Sequence, residues 1–438
     1  MIQSPPKLSI KKNPLFKSAL TALATSGLLT FFSPPTVQAE MTDSPKMVVD
    51  EVWQIVNNEF VDRNFNQVNW QNKREELLKA NYSSKKQAYR AINQALKQLN
   101  DPYTRFLPPE QFEVLTGQTS GEVSGVGIRI AIDPRTQDLY IIDVIKKSPA
   151  VEAGLKRGDR IVRIDGKPTA LMNLEQASEA LKGELKSVVR IEISRERKPA
   201  FEVKVTRSQI EVPSVDFSLK KEGELNVGYI KLDEFSSLAA QQMKEAIDEL
   251  KEKKASAFVL DLRGNPGGLL FASVDIARMW MAEGEIVDVV DRRGGHRRFQ
   301  ANNSAITDLP LVVLVNGNSA SASEILTGAL KENKRATIVG TTTYGKGLVQ
   351  SVHSLSDGSG LAVTISRYYP PSGININKKG ITPDVVQNIS KEQEFLLTQN
   401  PSLLATKDDP QYSKAVTVLK MRSSIPPKNS VNPVSILQ

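Results

Sequence analysis

The sequence predicts an α/β protein: a layered mixed-sheet core that carries an inserted β-rich domain and follows a helical N-terminal region. Three features of the 438-residue chain predict it. Apolar residues first recur at helical spacing. Short strand-like runs bounded by turn residues then fill residues 118–207. From residue 208 strands alternate with helices, and the apolar runs Phe258–Leu262 and Leu311–Asn316 suit strands covered on both faces. At about 150 residues per domain, the length allows two or three domains. Hydrophobic residues are 40% and charged residues 24%, enough for a sizeable core and too apolar for a disordered chain.

Residues 1–39 have the make-up of an export signal. Lys7, Lys11, Lys12 and Lys17 form a basic start, and Ser18–Phe32 is mostly apolar. Ser33-Pro34-Pro35 breaks that stretch, and Val37-Gln38-Ala39 offers a small-residue cleavage site before Glu40. The apolar stretch is short for a membrane span; an uncleaved anchor is the competing reading. No later run of about 20 apolar residues follows, so no stable membrane span is expected once the signal is removed. Export is consistent with a periplasm or a lumen.

Residues 40–117 read as two or three helices around a small apolar seam. Val48, Val49, Val52, Ile55 and Val56 repeat at helical spacing, as do Ala91, Ile92, Ala95, Leu96 and Leu99, and Asp101-Pro102 ends the pattern. This is expected to be a docking or dimerisation element without chemistry. In residues 118–207 strands are expected at 127–132, 139–144, 160–164, 188–194 and 201–206, with one helix at about 173–182. In residues 208–390 strands at 227–232, 257–262, 286–290, 311–315, 337–340 and 362–366 alternate with helices at 239–253, 269–281 and 322–332. The tail, 391–438, has one or two helical stretches before a polar end expected to be disordered.

Composition excludes several chemistries. Cysteine is absent, which removes thiol nucleophiles, Cys-based zinc sites, iron–sulfur clusters and disulfides. His296 and His353 are the two histidines, so an HExxH zinc site is excluded and a His-based serine triad would have to use one of them. Net charge is +8. Residues 1–39 hold four lysines and no acidic residue, so the remainder carries +4, too weak and scattered to argue for nucleic acid.

Gly121-Glu122-Val123-Ser124-Gly125-Val126-Gly127-Ile128 is a glycine-rich turn leading into a strand. Ser148-Pro149-Ala150, Ala153-Gly154-Leu155, Gly158-Asp159, Ile161 and Asp165-Gly166 follow. This series resembles a PDZ domain over about 90 residues. Physically, such a turn frees N–H groups to converge on an anion, and an extended peptide can add as a strand beside residues 127–130. A terminal carboxylate would then sit in the nest made by Gly125, Val126, Gly127 and Ile128, with the last side chain in an apolar pocket. The plainer reading is a β-hairpin whose glycines serve only φ > 0.

Three segments of the core carry candidate chemistry: Leu260-Asp261-Leu262-Arg263-Gly264-Asn265-Pro266-Gly267-Gly268, Val315-Asn316-Gly317-Asn318-Ser319-Ala320-Ser321-Ala322-Ser323-Glu324, and Tyr344-Gly345-Lys346-Gly347-Leu348-Val349-Gln350. Together, with the close Gly380-Ile381-Thr382-Pro383-Asp384, they resemble the carboxyl-terminal processing peptidases, tail-specific serine proteases with a Ser–Lys centre and an embedded PDZ domain. The resemblance covers nearly all of the chain after the signal. It implies Ser321 as nucleophile, Lys346 as general base and Gln350 as the residue assisting the lysine. It also implies Gly267 as an oxyanion donor beside Ala322, with Gly268 as the alternative. Metal and cofactor are not implied. Protein substrates with exposed C-terminal tails are, together with gating by the PDZ domain and pairing of chains through the helical ends. One branch of this family trims the photosystem II D1 protein in the thylakoid lumen. The sequence does not distinguish that branch from a paralogue of broader specificity.

The residues themselves agree with these roles. A serine at a strand-to-helix turn is exposed, and the helix start presents unpaired N–H groups and a positive dipole end. If residues 346–350 are extended, Lys346, Leu348 and Gln350 share one face, and Gln350 could accept from Lys346. The lysine must be neutral to act. Moving its pKa from about 10.4 to about 7–8 disfavours the ammonium by about 3.3–4.6 kcal/mol, which burial can supply.

Plainer readings compete. Ser321-Ala322-Ser323-Glu324 also fits a helix capping box. Ser319 and Ser323 are rival nucleophiles. Lys346 alone would read as a solvated lysine, and Gly345-Lys346-Gly347 lacks the hydroxyl residue and spacing of a phosphate loop. Glu332, near a helix C-terminus, reads as a surface acid, His353 as structural and His296 as part of a basic loop. Tyr369-Pro370-Pro371-Ser372-Gly373 departs from the family's usual run in a loop that bears on substrate fit. The rival function is a non-catalytic PDZ-type scaffold on an inactive core, which would have no reason to keep Ser321, Lys346 and Gln350 together.

Overall fold

The computed structural model describes residues 44–196 and 199–423; the expected export signal and the polar end of the tail lie outside the described residues. The helices Pro45–Glu59 and Lys85–Lys97 each bury one stripe: Val48, Val49, Val52 and Val56 in the first, Ala88, Ile92, Ala95 and Leu96 in the second. The stripes close on each other and on Leu355, Leu361 and Val363 of the core, so this region docks onto the core. The chain then adds a short strand, Arg105–Leu107, to the core strand Gly360–Tyr369. The helix Pro109–Ser120 follows and ends at Gly121, whose φ of 73° is a left-handed C-cap.

The insert leaves and returns through neighbouring strands, Glu122–Gly125 paired antiparallel with Ser208–Glu211. Between them lies an antiparallel sheet ordered Ile128–Ile132, Leu139–Val144, Arg160–Ile164, Val188–Ser194, Phe201–Thr206. Alternate residues Val189, Ile191 and Ile193 bury one face against Ala177 and Leu181 of the helix Leu174–Leu181. Ile128–Ile132 stands at the sheet edge.

The core is built on a six-stranded sheet ordered Val215–Glu222, Leu225–Leu232, Ala257–Asp261, Leu311–Val315, Thr337–Gly340, Val385–Val386. The first pair is antiparallel and the rest parallel. Period-two alternation explains the continuous apolar runs. Phe258, Leu260, Leu311, Val313 and Ile338 face the helices Ala239–Glu252, Leu270–Trp280 and Ala322–Glu332. Val259, Val312, Leu314 and Val339 face Tyr412, Ala415, Val416 and Leu419 of the tail helix Pro410–Ser423.

A second sheet centres on Gly360–Tyr369, which pairs with Leu348–Ser354, Arg105–Leu107 and Glu285–Asp291; the last also pairs with His296–Gln300. His296, expected in a basic loop, begins this edge strand, its Nδ1 2.6 Å from Asp288 Oδ2. Only Phe299 of the strand is buried, so no apolar alternation marks it in the sequence.

Candidate active site

The parallel strand Leu311–Val315 runs into a turn, and the helix Ala322–Glu332 starts at its end. Ser321 stands between them with φ 55° and ψ −114°. Such a backbone costs a non-glycine residue about 1–3 kcal/mol and persists only where its surroundings hold it. It is the geometry that lifts a serine on a sharp strand-to-helix turn.

The holding group is Glu324, which is fully buried. Its Oε2 accepts from the N–H of Ser321 at 3.0 Å and of Lys346 at 2.8 Å. Its Oε1 accepts from the N–H of Gly345 at 2.7 Å and from Thr343 Oγ1 at 2.6 Å. Four donors thus compensate a carboxylate that would otherwise be costly to bury. The backbone carbonyl of Ser321 accepts from Glu324 N at 2.8 Å and from Tyr368 OH at 3.1 Å. The sequence showed Glu324 only as the acid of a capping box. Its tie to the lysine turn has no local signal.

Ser319 and Ser323 are fully buried. Ser319 Oγ donates to Leu262 O at 2.7 Å and Ser323 Oγ to Asn265 O at 3.0 Å, so both brace the turn. Ser321 instead lines a cleft of about 430 Å³ together with Lys346, Gln350, Ala322, Gly268 and Tyr103.

Lys346 lies half-buried just before the strand Leu348–Ser354. Burial holds its ammonium below the usual lysine range, and the nearby Arg105 guanidinium lowers it further, against Asp101 and Glu324. Its Nζ sits 4.7 Å over the Tyr103 ring. Burial and a hydrogen bond to Tyr344 push the Tyr103 hydroxyl up to about 12. Among the described residues, no hydrogen bond joins Lys346 Nζ to Ser321 or Gln350.

The expected contact of Gln350 with Lys346 is therefore corrected. A bulge between Val349 and Gln350 breaks the alternation that would have put both on one face. The Gln350 amide donates to Thr364 Oγ1 at 3.3 Å instead. Gln350 lines the same cleft, with no hydrogen bond to the lysine amine among the described residues.

Gly267, expected as an oxyanion donor, lies directly beside Ser321. Its φ is 107°, and a Cβ there would lie 2.8 Å from both Ala320 O and Ser321 Cβ, so only glycine fits beside the serine. Its N–H, however, donates to Asn265 Oδ1 at 2.8 Å. Gly268 is exposed in the cleft, and Ala322 opens the helix. Among the described residues neither of their N–H groups meets a protein acceptor. Both remain available as donors at the cleft.

In the insert, Val126 and Gly127 direct their carbonyls inward, to Ala150 N and Ile145 N, both at 2.9 Å. Their own N–H groups meet no protein acceptor among the described residues, and the edge strand Ile128–Ile132 begins beside them. Gly127 has φ 88°, and a Cβ would lie 2.2 Å from Ser148 Cβ. Gly125 closes the stem by pairing with Ser208. Elsewhere, Glu332 accepts from Ser372 N at 2.6 Å and Ser372 Oγ at 3.0 Å, tying down the loop 369–373 at the surface. His353 Nε2 lies 2.9 Å from Glu59 Oε2, across the junction with the N-terminal helices. Among the described residues no group of three or more histidines and carboxylates is placed to hold a metal ion, and no helix is long and apolar enough to cross a membrane.

Residues 226–387 match the profile of peptidase family S41, and residues 140–195 that of the PDZ domain. The chain is 40% identical over 426 residues to a carboxyl-terminal-processing protease of Synechocystis sp., covering 97% of each. It is 37% identical over 362 residues to a chloroplastic C-terminal processing peptidase of Tetradesmus obliquus, covering 79% of this chain and 78% of that one. Among solved structures it resembles a photosystem II D1 C-terminal processing protease, with a TM-score of 0.52 and 36% identity, over 84% of this chain and 99% of that one.

Proposed function

Because this chain belongs to the carboxyl-terminal-processing proteases, serine peptidases of family S41, we propose that it cleaves exported proteins near their C-termini with Ser321 as nucleophile and Lys346 as general base. The observation that carries the reading is the strained Ser321 at a helix start, facing one cleft with a half-buried lysine whose pKa is depressed.

A substrate tail adds as a strand beside Ile128–Ile132, its carboxylate on the N–H groups of Val126 and Gly127. The scissile carbonyl enters the cleft, and the lysine amine swings from the Tyr103 ring toward Ser321. Ser321 Oγ attacks as Lys346 Nζ takes its proton. The N–H groups of Ala322 and Gly268 receive the oxyanion, where losing one donor costs about 100- to 1,000-fold in rate. Lys346 returns the proton to the leaving amine, and water, activated by the same lysine, hydrolyses the acyl-enzyme.

Residues 1–39 and the cyanobacterial and chloroplast relatives support export to a periplasm or thylakoid lumen. The D1 precursor is the first substrate to test, because the similar solved structure carries that name. Pairing of chains through the helical ends rests on the family resemblance; sedimentation of the mature chain tests it.

The test uses an unfolded protein ending in an apolar tail, with its terminal carboxylate free or amidated. The wild type is expected to cleave the free-tailed form faster and Ser321→Ala to cleave neither. Cleavage by Ser321→Ala at the wild-type rate contradicts the reading.

A further inference from the structure

The glycine turn beside Ser321 is braced from an unexpected direction, the C-terminal tail. Arg263, one residue before the turn, has a side chain only 8% exposed, and it faces two fully buried carboxylates. Its Nη1 and Nη2 donate to Asp409 Oδ1 and Oδ2 at 2.9 and 2.7 Å. Its Nε and Nη2 donate to Asp261 at 2.9 and 2.6 Å. Nη1 also reaches Gln411 Oε1 at 3.1 Å, and Tyr229 OH donates to Asp261 Oδ2 at 2.7 Å. Asp409 itself accepts from Tyr412 N at 3.1 Å and Ala405 N at 3.3 Å, so the tail holds it rigidly.

Burying two carboxylates and one guanidinium is a poor route to stability, because desolvation offsets the attraction; such groups serve better to impose one geometry. The geometry imposed here belongs to the turn. Gly264 N donates to Asn316 Oδ1 at 3.0 Å. The side chain of Asn265 donates to Leu232 O at 2.8 Å and accepts from Gly267 N at 2.8 Å. Its carbonyl accepts from Ala320 N and Ser323 Oγ, both at 3.0 Å. A fixed Arg263 thus sets the start of a turn that grips the serine elbow and presents Gly268 to the cleft.

We propose that Asp409, on the C-terminal tail, is a positioning residue for the oxyanion turn. Asp409 touches no substrate and acts through Arg263. The tail is then a working part of the active site as well as a cover for the sheet. This rests on Ser321 being the nucleophile.

The test compares the mature wild type with Asp409→Asn, Asp408→Asn and Ser321→Ala on one cleavable peptide. Asp408 is exposed and controls for loss of a tail charge. Asp409→Asn is expected to lower kcat at least about 10-fold, with KM within about twofold, as for an interaction made only in the transition state. Affinity for a peptide aldehyde, which mimics the tetrahedral adduct, is expected to fall by the same factor. The midpoint of the pH–rate curve, set by the lysine, should not move, and Asp408→Asn should match the wild type. Unchanged kcat per folded molecule, or a loss confined to KM, overturns the proposal; a merely structural role would lower the unfolding temperature and leave the kcat of the folded fraction and the aldehyde affinity intact. Full activity of Ser321→Ala overturns the nucleophile assignment and this proposal with it.

Discussion

Ser321 and Lys346 donate their backbone N–H groups to one atom, Oε2 of Glu324, at 3.0 and 2.8 Å. The proposed nucleophile and base thus sit on two turns stapled by a single buried carboxylate. Their backbones are held by the same oxygen atom. Glu324→Gln replaces one acceptor oxygen by an NH₂ group among backbone donors. Each buried donor left unpaired costs about 1–3 kcal/mol. The variant should be less stable in urea unfolding and lose at least about 100-fold in kcat, comparable to removal of an oxyanion donor. Wild-type turnover of folded Glu324→Gln would show that the staple is dispensable.

The lysine fixes the sign of the pH dependence. Burial and Arg105 lower its pKa, so its neutral, proton-accepting form is populated below the ordinary lysine range. Activity should rise with pH through a single midpoint below 10.5, the unshifted value. Arg105→Gln removes a neighbouring positive charge, which favours the ammonium and should move the midpoint up. A rate flat from about pH 6 to 10 at saturating substrate would remove Lys346 as the base.

Gly267→Ala puts a methyl group 2.8 Å from Ala320 O and Ser321 Cβ, at a φ of 107°. The serine elbow must shift. A 1 Å misplacement can cost about 100-fold, so kcat should fall by at least that much. Tail binding by the PDZ domain, whose core is separate, should persist in fluorescence anisotropy.

Gly127→Ala meets Ser148 Cβ at 2.2 Å and strains a φ of 88°. The carboxylate nest should distort, weakening tail binding at least about 10-fold, the loss of roughly one charge-assisted hydrogen bond. An amidated tail should bind the wild type weakly and show little further loss in the variant. Equal binding of free and amidated tails by the wild type would place recognition elsewhere.

The legible parts of the fold are those with a strong period or run. Leu311–Val315 is apolar throughout because both sheet faces are covered, and Leu139–Val144 is bounded by turn residues. His296–Gln300 and Val215–Glu222 escaped notice because as edge strands they bury few residues among many charges. Arg105–Leu107 is three residues long and gains its identity only from Gly360–Tyr369. At the site, the resemblance of the glycine, serine and lysine motifs to the processing peptidases implied Ser321, Lys346 and Gln350, and one cleft is lined by all three. What local pattern could not supply was side-chain direction. A bulge lies just before Gln350, whose amide meets Thr364, and the folded-back Asn265 occupies the Gly267 N–H. Asp409 lies 146 residues from the arginine it grips, with no motif to link them.

The Ser–Lys centre is tested most directly by incubating the mature chain, Ser321→Ala and Lys346→Ala with an unfolded protein ending in an apolar tail and reading the products by mass spectrometry. Cleavage near the C-terminus by the wild type alone, with all three proteins still binding the tail, is the predicted result. Wild-type cleavage by either variant, or a wild type that binds the tail and leaves it intact, would contradict it.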